Sequence, residues 1–208
     1  MIRIALHLAL LLFAISIAPA IASDPQNLAA ALKQGGYVIV FRHGATDESQ
    51  KDIYPFRFDD MKAQRQLSDK GRETARAIGA AFRELGIPIG VVYTSRLNRA
   101  VETGKLIAAK DVTPKDELTD SGAGSASSMA NPEGNNERFG RPLRELAEAP
   151  AAQVNILIVT HKTNIADGFG KGYADVQEGE ALIFRPTPSG ASLAARVKAD
   201  EWAKLPRS

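Results

Sequence analysis

Four stretches of the chain are apolar almost without interruption: "YVIVF" (Tyr37–Phe41), "PIGVVYTS" (Pro88–Ser95), "VNILIVTH" (Val154–His161) and "ALIFRPTP" (Ala181–Pro188). They have the length of strands, are rich in β-branched and aromatic residues, and lack the polar alternation of a strand with one wet face. Burial on both faces is therefore expected of each. Between them run segments of helical period. "PQNLAAALKQ" (Pro25–Gln34) carries Leu28, Ala31 and Leu32 ahead of Gly35–Gly36. "LSDKGRETARAIGAAFRELG" opens on Ser68 as N-cap, lines up Ala75, Ile78, Phe82 and Leu85, and stops at Gly86, while "RLNRAVETGKLIAA" follows the second strand at once. Strands with helices between them predict an α/β fold, a three-layer α/β/α sandwich around a mostly parallel central sheet.

The remaining segments are less regular. Ala45–Gln66 is polar, spotted with aromatics and broken by Pro55, which predicts an irregular excursion beginning where the first strand ends. A short third strand is expected at Glu117–Thr119. "SGAGSASSMANPEGNNERFG" (121–140) has the composition and length of a lid-like loop, Leu143–Ala149 reads as a short helix, and "SLAARVKADEWAKL" as a tail. No internal repeat is present.

At the N-terminus, Arg3, the apolar stretch Ile4–Ile17 and Ala20-Ile21-Ala22 ahead of Ser23 form the three-part layout of a secretory signal. Cleavage after Ala22 is expected, leaving residues 23–208 as one domain with no membrane span, since a spanning anchor needs about 20 apolar residues. The chain has no cysteine, which excludes both a disulfide framework and a lipid-modified cysteine anchor. Export without disulfides points to the periplasm. Lys and Arg number 26 against 24 Asp and Glu, without long runs of one sign, so nucleic acid is not an expected partner.

In parallel sheets ligands bind at the carboxyl ends of the strands. Here those ends carry Arg42-His43-Gly44, then Ser95-Arg96 with Arg99 a turn later, then His161-Lys162. Beyond His7 in the leader the chain has two histidines, and each closes a predicted strand. Two imidazoles and several guanidiniums on one rim repel each other unless an anion lies among them. Phosphate fits best, because guanidinium forks match its oxygens and stay charged. Gly44 permits close approach of the backbone, and a helix starting after His161 would aim free N–H groups at the same anion. An imidazole whose Nδ1 donates to a carbonyl presents Nε2 as a nucleophile toward phosphorus.

The pieces "FRHG" (41–44), "LSDKGRETA" (67–75), "YTSRLNRAVETGKLI" (93–107) and "ILIVTH" (156–161), in that order and spacing, resemble the histidine phosphatase superfamily, the phosphoglycerate mutase-like family, in its small exported branch. The resemblance implies a phosphoglycerate mutase-like fold, His43 as the phosphorylated nucleophile, Arg42, Arg99 and His161 around the phosphoryl oxygens with Gly44 beside them, and neither metal nor cofactor. The proton donor departs from the pattern: "LTDSGAG" (118–124) sets Asp120 where many members have glutamate, with Glu117 as the alternative. Lys162 stands where many relatives have a small residue, and Arg96 matches no family position, leaving it a helix-surface or substrate-side residue. Arg57, Arg65, Arg138 and Arg141 lie in the two variable sections, 47–65 and 122–141, and are candidates for meeting a second anionic group. What the resemblance implies is an exported phosphatase hydrolysing phosphomonoesters through a phosphohistidine, its substrate a small-molecule or lipopolysaccharide-type phosphoester. A mutase, and a non-catalytic envelope binder of phosphorylated ligands, are the alternatives.

Overall fold

The structure is a computed structural model, and it describes residues 25–119, 137–149 and 152–207. Residues 1–22, the segment expected to be a leader, Asp120 and the Gly/Ser-rich section up to residue 136 lie outside the described residues.

Among the described residues six strands form one sheet: β1 (Val38–Arg42), β2 (Ile89–Ser95), β3 (Thr113–Lys115), β4 (Asn155–Thr160), β5 (Ala181–Thr187) and β6 (Gly190–Val197), in the order β3-β2-β4-β1-β5-β6. The first four are mutually parallel, while β5 runs antiparallel to β1 and β6 antiparallel to β5. The apolar runs are explained by what covers them. Ile39 and Phe41 of β1, with Leu157 and Val159 of β4, face a core built with α1 (Pro25–Gln34), α2 (Asp69–Glu84) and α3 (Asn98–Ala108). Val38, Val40, Ile156 and Ile158 face the other way, toward α4 (Glu137–Ala147) and α5 (Lys162–Phe169). Successive side chains of one strand thus serve opposite cores, which gives the three expected layers. Ser68 caps α2 as predicted, its Oγ accepting the Gly71 N–H at 3.1 Å.

Three local expectations are corrected. The third strand lies at Thr113–Lys115, and Glu117–Thr119 falls instead on the 3-10 turn Asp116–Leu118 and the residue after it. The strand contains Pro114 and has no buried residue, so its sequence carries no strand pattern; as an edge strand it tolerates the proline. The fourth helix starts at Glu137 rather than Leu143, so Arg138 and Arg141 stand on a helix and not in a loop. Pro142 inside it removes a helical N–H and masks the pattern. The tail contains β6, an edge strand of small residues, followed by a turn that buries Trp202 with ring centroids 4.7 Å from Phe82 and 5.9 Å from Phe41. Among the described residues no helix is long and apolar enough to cross a membrane.

Candidate active site

Because β1 and β4 pair in parallel with Arg42 opposite Thr160, the next residue of each strand is a histidine beside a histidine. The His43 N–H continues the ladder to the Thr160 carbonyl at 3.0 Å, and the two imidazoles stand 5.1 Å apart by ring centroids. Both are buried, at 3% and 2% exposure. The His43 Nδ1 is 2.8 Å from the carbonyl of Gly44. A carbonyl can only accept, so Nδ1 carries the hydrogen and Nε2 carries the lone pair. Burial, followed by the charges of His161, Arg99 and Arg42, pushes the His43 pKa well below the usual imidazole value, against the opposing pull of the Gly44 hydrogen bond. For His161 the causes are burial first, then Arg99, Arg65 and Arg42. Both rings are therefore neutral at pH 7 in the free protein, and a neutral imidazole is the form that can attack.

Three arginine charges surround the pair. Arg99, on the first turn of α3, has no solvent exposure, and its Nη1 donates to Asp52 Oδ1 at 2.9 Å. Arg42 donates from Nη1 to the Val176 carbonyl at 2.8 Å and pairs with Glu178 at 3.4 Å, its side chain 20% exposed. Arg65 belongs to the excursion, and its charge reaches His161.

The backbone between the two strand ends is held tightly. The Gly44 N–H donates to Thr103 Oγ1 at 3.1 Å, and that hydroxyl donates in turn to the Arg99 carbonyl at 2.6 Å. A Cβ on Gly71 would lie 2.0 Å from the Ala45 carbonyl oxygen, so the first turn of α2 presses directly on the chain after His43. On the far side, the Gly179 N–H is shared by the carbonyls of Arg42, at 3.2 Å, and His43, at 3.1 Å. His161 is the N-cap of α5, so that helix begins at the rim where the two histidines meet.

A family model described as the histidine phosphatase superfamily (branch 1) matches residues 38–150, more than half of the chain. The chain belongs to that superfamily. A 2,3-bisphosphoglycerate-dependent phosphoglycerate mutase of Staphylococcus haemolyticus is 36% identical over 73 residues, a stretch that covers 35% of this chain and 30% of that enzyme. The chain thus matches under a third of the length of that curated relative. Among solved structures, a mutant phosphoserine phosphatase from Entamoeba histolytica in complex with phosphoserine superposes with a TM-score of 0.55 at 15% identity, covering 78% of this chain and 97% of that one. The protein histidine phosphatase SixA complexed with tungstate superposes with 0.53 at 15%, covering 79% and 98%. At such identities the structures show a shared histidine phosphatase fold.

The family match ends before His161, and it is the parallel pairing of β4 with β1 that brings this residue to His43. The geometry gathers Arg42, His43, Gly44, Arg99 and His161 at one rim. Glu117 lies on the turn after β3 and accepts from Lys115 Nζ at 3.3 Å. Arg96, left open between helix surface and substrate side, lies over the ring of Phe58 at 4.0 Å and pairs with Asp116 at 2.9 Å, bracing the excursion against the turn after β3. Lys162 opens α5, and Arg57 is exposed in the excursion.

Three residues of this superfamily member, Thr103, Asp52 and Glu180, went unnoticed in the sequence, and Ser95 was in view only as the end of a strand. Ser95 is fully buried at the end of β2; its Oγ is 2.8 Å from His161 Nε2 and accepts the Leu97 N–H at 3.1 Å, which fixes the plane of the imidazole. Its signal was its place at a strand end. Thr103, four residues after Arg99, has the helical spacing that lets its hydroxyl reach the Arg99 carbonyl. Asp52 and Glu180 carried no local signal, since neither position in an irregular segment implies its partner.

Proposed function

We propose that the protein is an exported, metal-independent phosphatase that hydrolyses phosphomonoesters through a phosphohistidine on His43. The observation that carries this reading is the buried, neutral His43 whose Nδ1–H is committed to Gly44, so that Nε2 faces the reaction, with Arg42, Arg99 and His161 around it. In the first step the Nε2–P bond forms as the ester P–O bond breaks, and the departing alkoxide takes a proton from Asp120. In the second, water gives its proton to the same carboxylate, its oxygen bonds to phosphorus, and the N–P bond breaks. The guanidiniums and His161 offset the charge on the phosphoryl oxygens in both steps, the usual main source of catalysis in phosphoryl transfer. For Asp120 the support is its neighbour: the Thr119 carbonyl accepts from Asn164 Nδ2 at 3.1 Å, in the first turn of α5 beside His161.

The leader supports export, and export supports an envelope substrate, a small-molecule or lipopolysaccharide-type phosphoester. The mutase relative favours a second reading, transfer of the phosphoryl group between substrate hydroxyls. Both share the first step and differ in whether water reaches the phosphohistidine. Residues 23–208 are to be assayed on a panel of phosphoesters, with phosphate release and isomer formation followed together and the protein quenched in alkali to keep N-linked phosphate. Phosphate release with an acid-labile phosphoprotein that vanishes in His43→Ala is expected. Isomer without phosphate would favour the mutase, and turnover surviving in His43→Ala would overturn both.

A further inference from the structure

Arg99 is fully buried, and a buried guanidinium needs a counter-charge. Among the described residues one such charge comes from the excursion, through Asp52 Oδ1 at 2.9 Å. The same oxygen accepts the backbone N–H of Arg65 at 2.9 Å, so one carboxylate ties Arg99 to both ends of the stretch from Asp52 to Arg65. The start of α3 is gripped at a second point: Gln64, 1% exposed, accepts the Asn98 N–H at 2.9 Å and donates to the carbonyls of Arg57 and Phe58, both at 2.9 Å. The variable excursion thus holds the first turn of the helix that presents Arg99, and it brings with it Arg65, whose charge reaches His161. Two roles meet in Asp52. Its geometry sets the direction of Arg99 and the closure of the excursion, and its charge offsets part of the positive field of Arg42, Arg65 and Arg99.

We infer that Asp52 is a positioning residue of the phosphoryl clamp, aiming Arg99 through its oxygen and moderating the clamp's grip on free phosphate through its charge. The inference rests on the phosphatase reading, with inorganic phosphate as the product that must leave. Asparagine keeps an oxygen able to accept from Arg99 and Arg65 and removes the charge; alanine removes both. The test compares wild type, Asp52→Asn and Asp52→Ala, measuring kcat and KM on p-nitrophenyl phosphate and the Kd of inorganic phosphate by calorimetry. Asp52→Ala is expected to lower kcat about tenfold or more, because a clamp group displaced by an ångström costs up to about a hundredfold. Asp52→Asn is expected to recover much of that loss while binding phosphate about threefold or more tighter than wild type, a charge effect that a purely structural role would not produce. Thermal unfolding checks that each variant is folded; if Asp52→Ala is not, the phosphate affinity of Asp52→Asn decides. Variants that match wild type in kcat and Kd, or an Asp52→Asn that binds phosphate no tighter, would overturn the inference. A wild-type protein that neither hydrolyses the ester nor binds phosphate would overturn the phosphatase reading itself, and the inference with it.

Discussion

His43 and His161 stand 5.1 Å apart by ring centroids, both buried, among guanidiniums whose charge disfavours protonating either ring. Phosphate in the site would offset the positive field and, at the same time, make protonation of the rings easier.

The first prediction follows from that linkage. Both folded-state pKa values lie below the unfolded value of about 6.5, so the unfolded chain binds more protons as pH falls below it. The stability these groups contribute is complete above pH of about 6.5 and is lost as pH falls toward their folded values, by at most about 1.4 kcal/mol per pH unit for each ring. Tm is therefore expected to drop between pH 7.5 and 5.5, more steeply than in a His43→Gln/His161→Gln variant. Sulfate, whose charge is constant over that range, should flatten the wild-type curve and leave the variant's unchanged. Equal slopes for the two proteins would contradict the buried neutral pair.

The second prediction concerns the contact of α2 with the chain after His43. A Cβ on Gly71 would lie 2.0 Å from the Ala45 carbonyl oxygen, and the obstacle is backbone, which cannot turn aside. Gly71→Ala must push α2 away or shift Gly44–Ala45, at a cost of about 2 kcal/mol or more. Chemical denaturation should show the loss of stability, and turnover should fall with it, because Gly44 holds Nδ1 of His43.

The third prediction tests the orientation of His161. Ser95→Ala strips His161 Nε2 of its partner and the Leu97 N–H of its acceptor, both in buried surroundings. A loss of about 2 kcal/mol or more in stability is expected, from two unsatisfied groups at about 1 kcal/mol or more each. The kinetic signature should fall mainly on kcat, by about tenfold, since an untethered ring meets the transition state less often than it contacts bound ester. An unchanged kcat would remove Ser95 from the positioning set.

These residues also show what a sequence of this kind discloses. His43 and His161 are legible because the apolar runs locate the strands, and the rule of strand ends then singles out two histidines far apart in the chain. The three layers are legible because buried parallel strands cannot alternate. Ser95 was in view but overshadowed by its charged neighbour Arg96, whose own role proved to be bracing Phe58 and Asp116. β3 and β6 escaped because edge strands bury little, so selection for an apolar pattern is weak there. Asp52 has no periodicity to betray it: its meaning depends on Arg99, 47 residues away, and only the folded excursion brings the two together.

The last prediction concerns the turn that carries Arg42. Glu180, with its side chain 3% exposed, accepts from Arg196 Nε at 2.8 Å and from the Gln177 N–H at 2.8 Å, while its carbonyl accepts the Arg42 N–H at 3.1 Å. The turn fixed in this way supplies Val176 and Glu178 to the Arg42 guanidinium. Arg196→Ala leaves the buried carboxylate without its cation. A fully buried pair would cost about 3 kcal/mol or more to break, but Arg196 is 32% exposed, so about 2 kcal/mol is expected, with a fall in kcat/KM as Arg42 loosens. Adding Glu180→Gln to Arg196→Ala removes the stranded charge and should restore part of the stability, a coupling that a double-mutant cycle in denaturant measures directly. Additive losses would mean that the Glu180–Arg196 pair does not hold the turn that carries Val176 and Glu178 to Arg42.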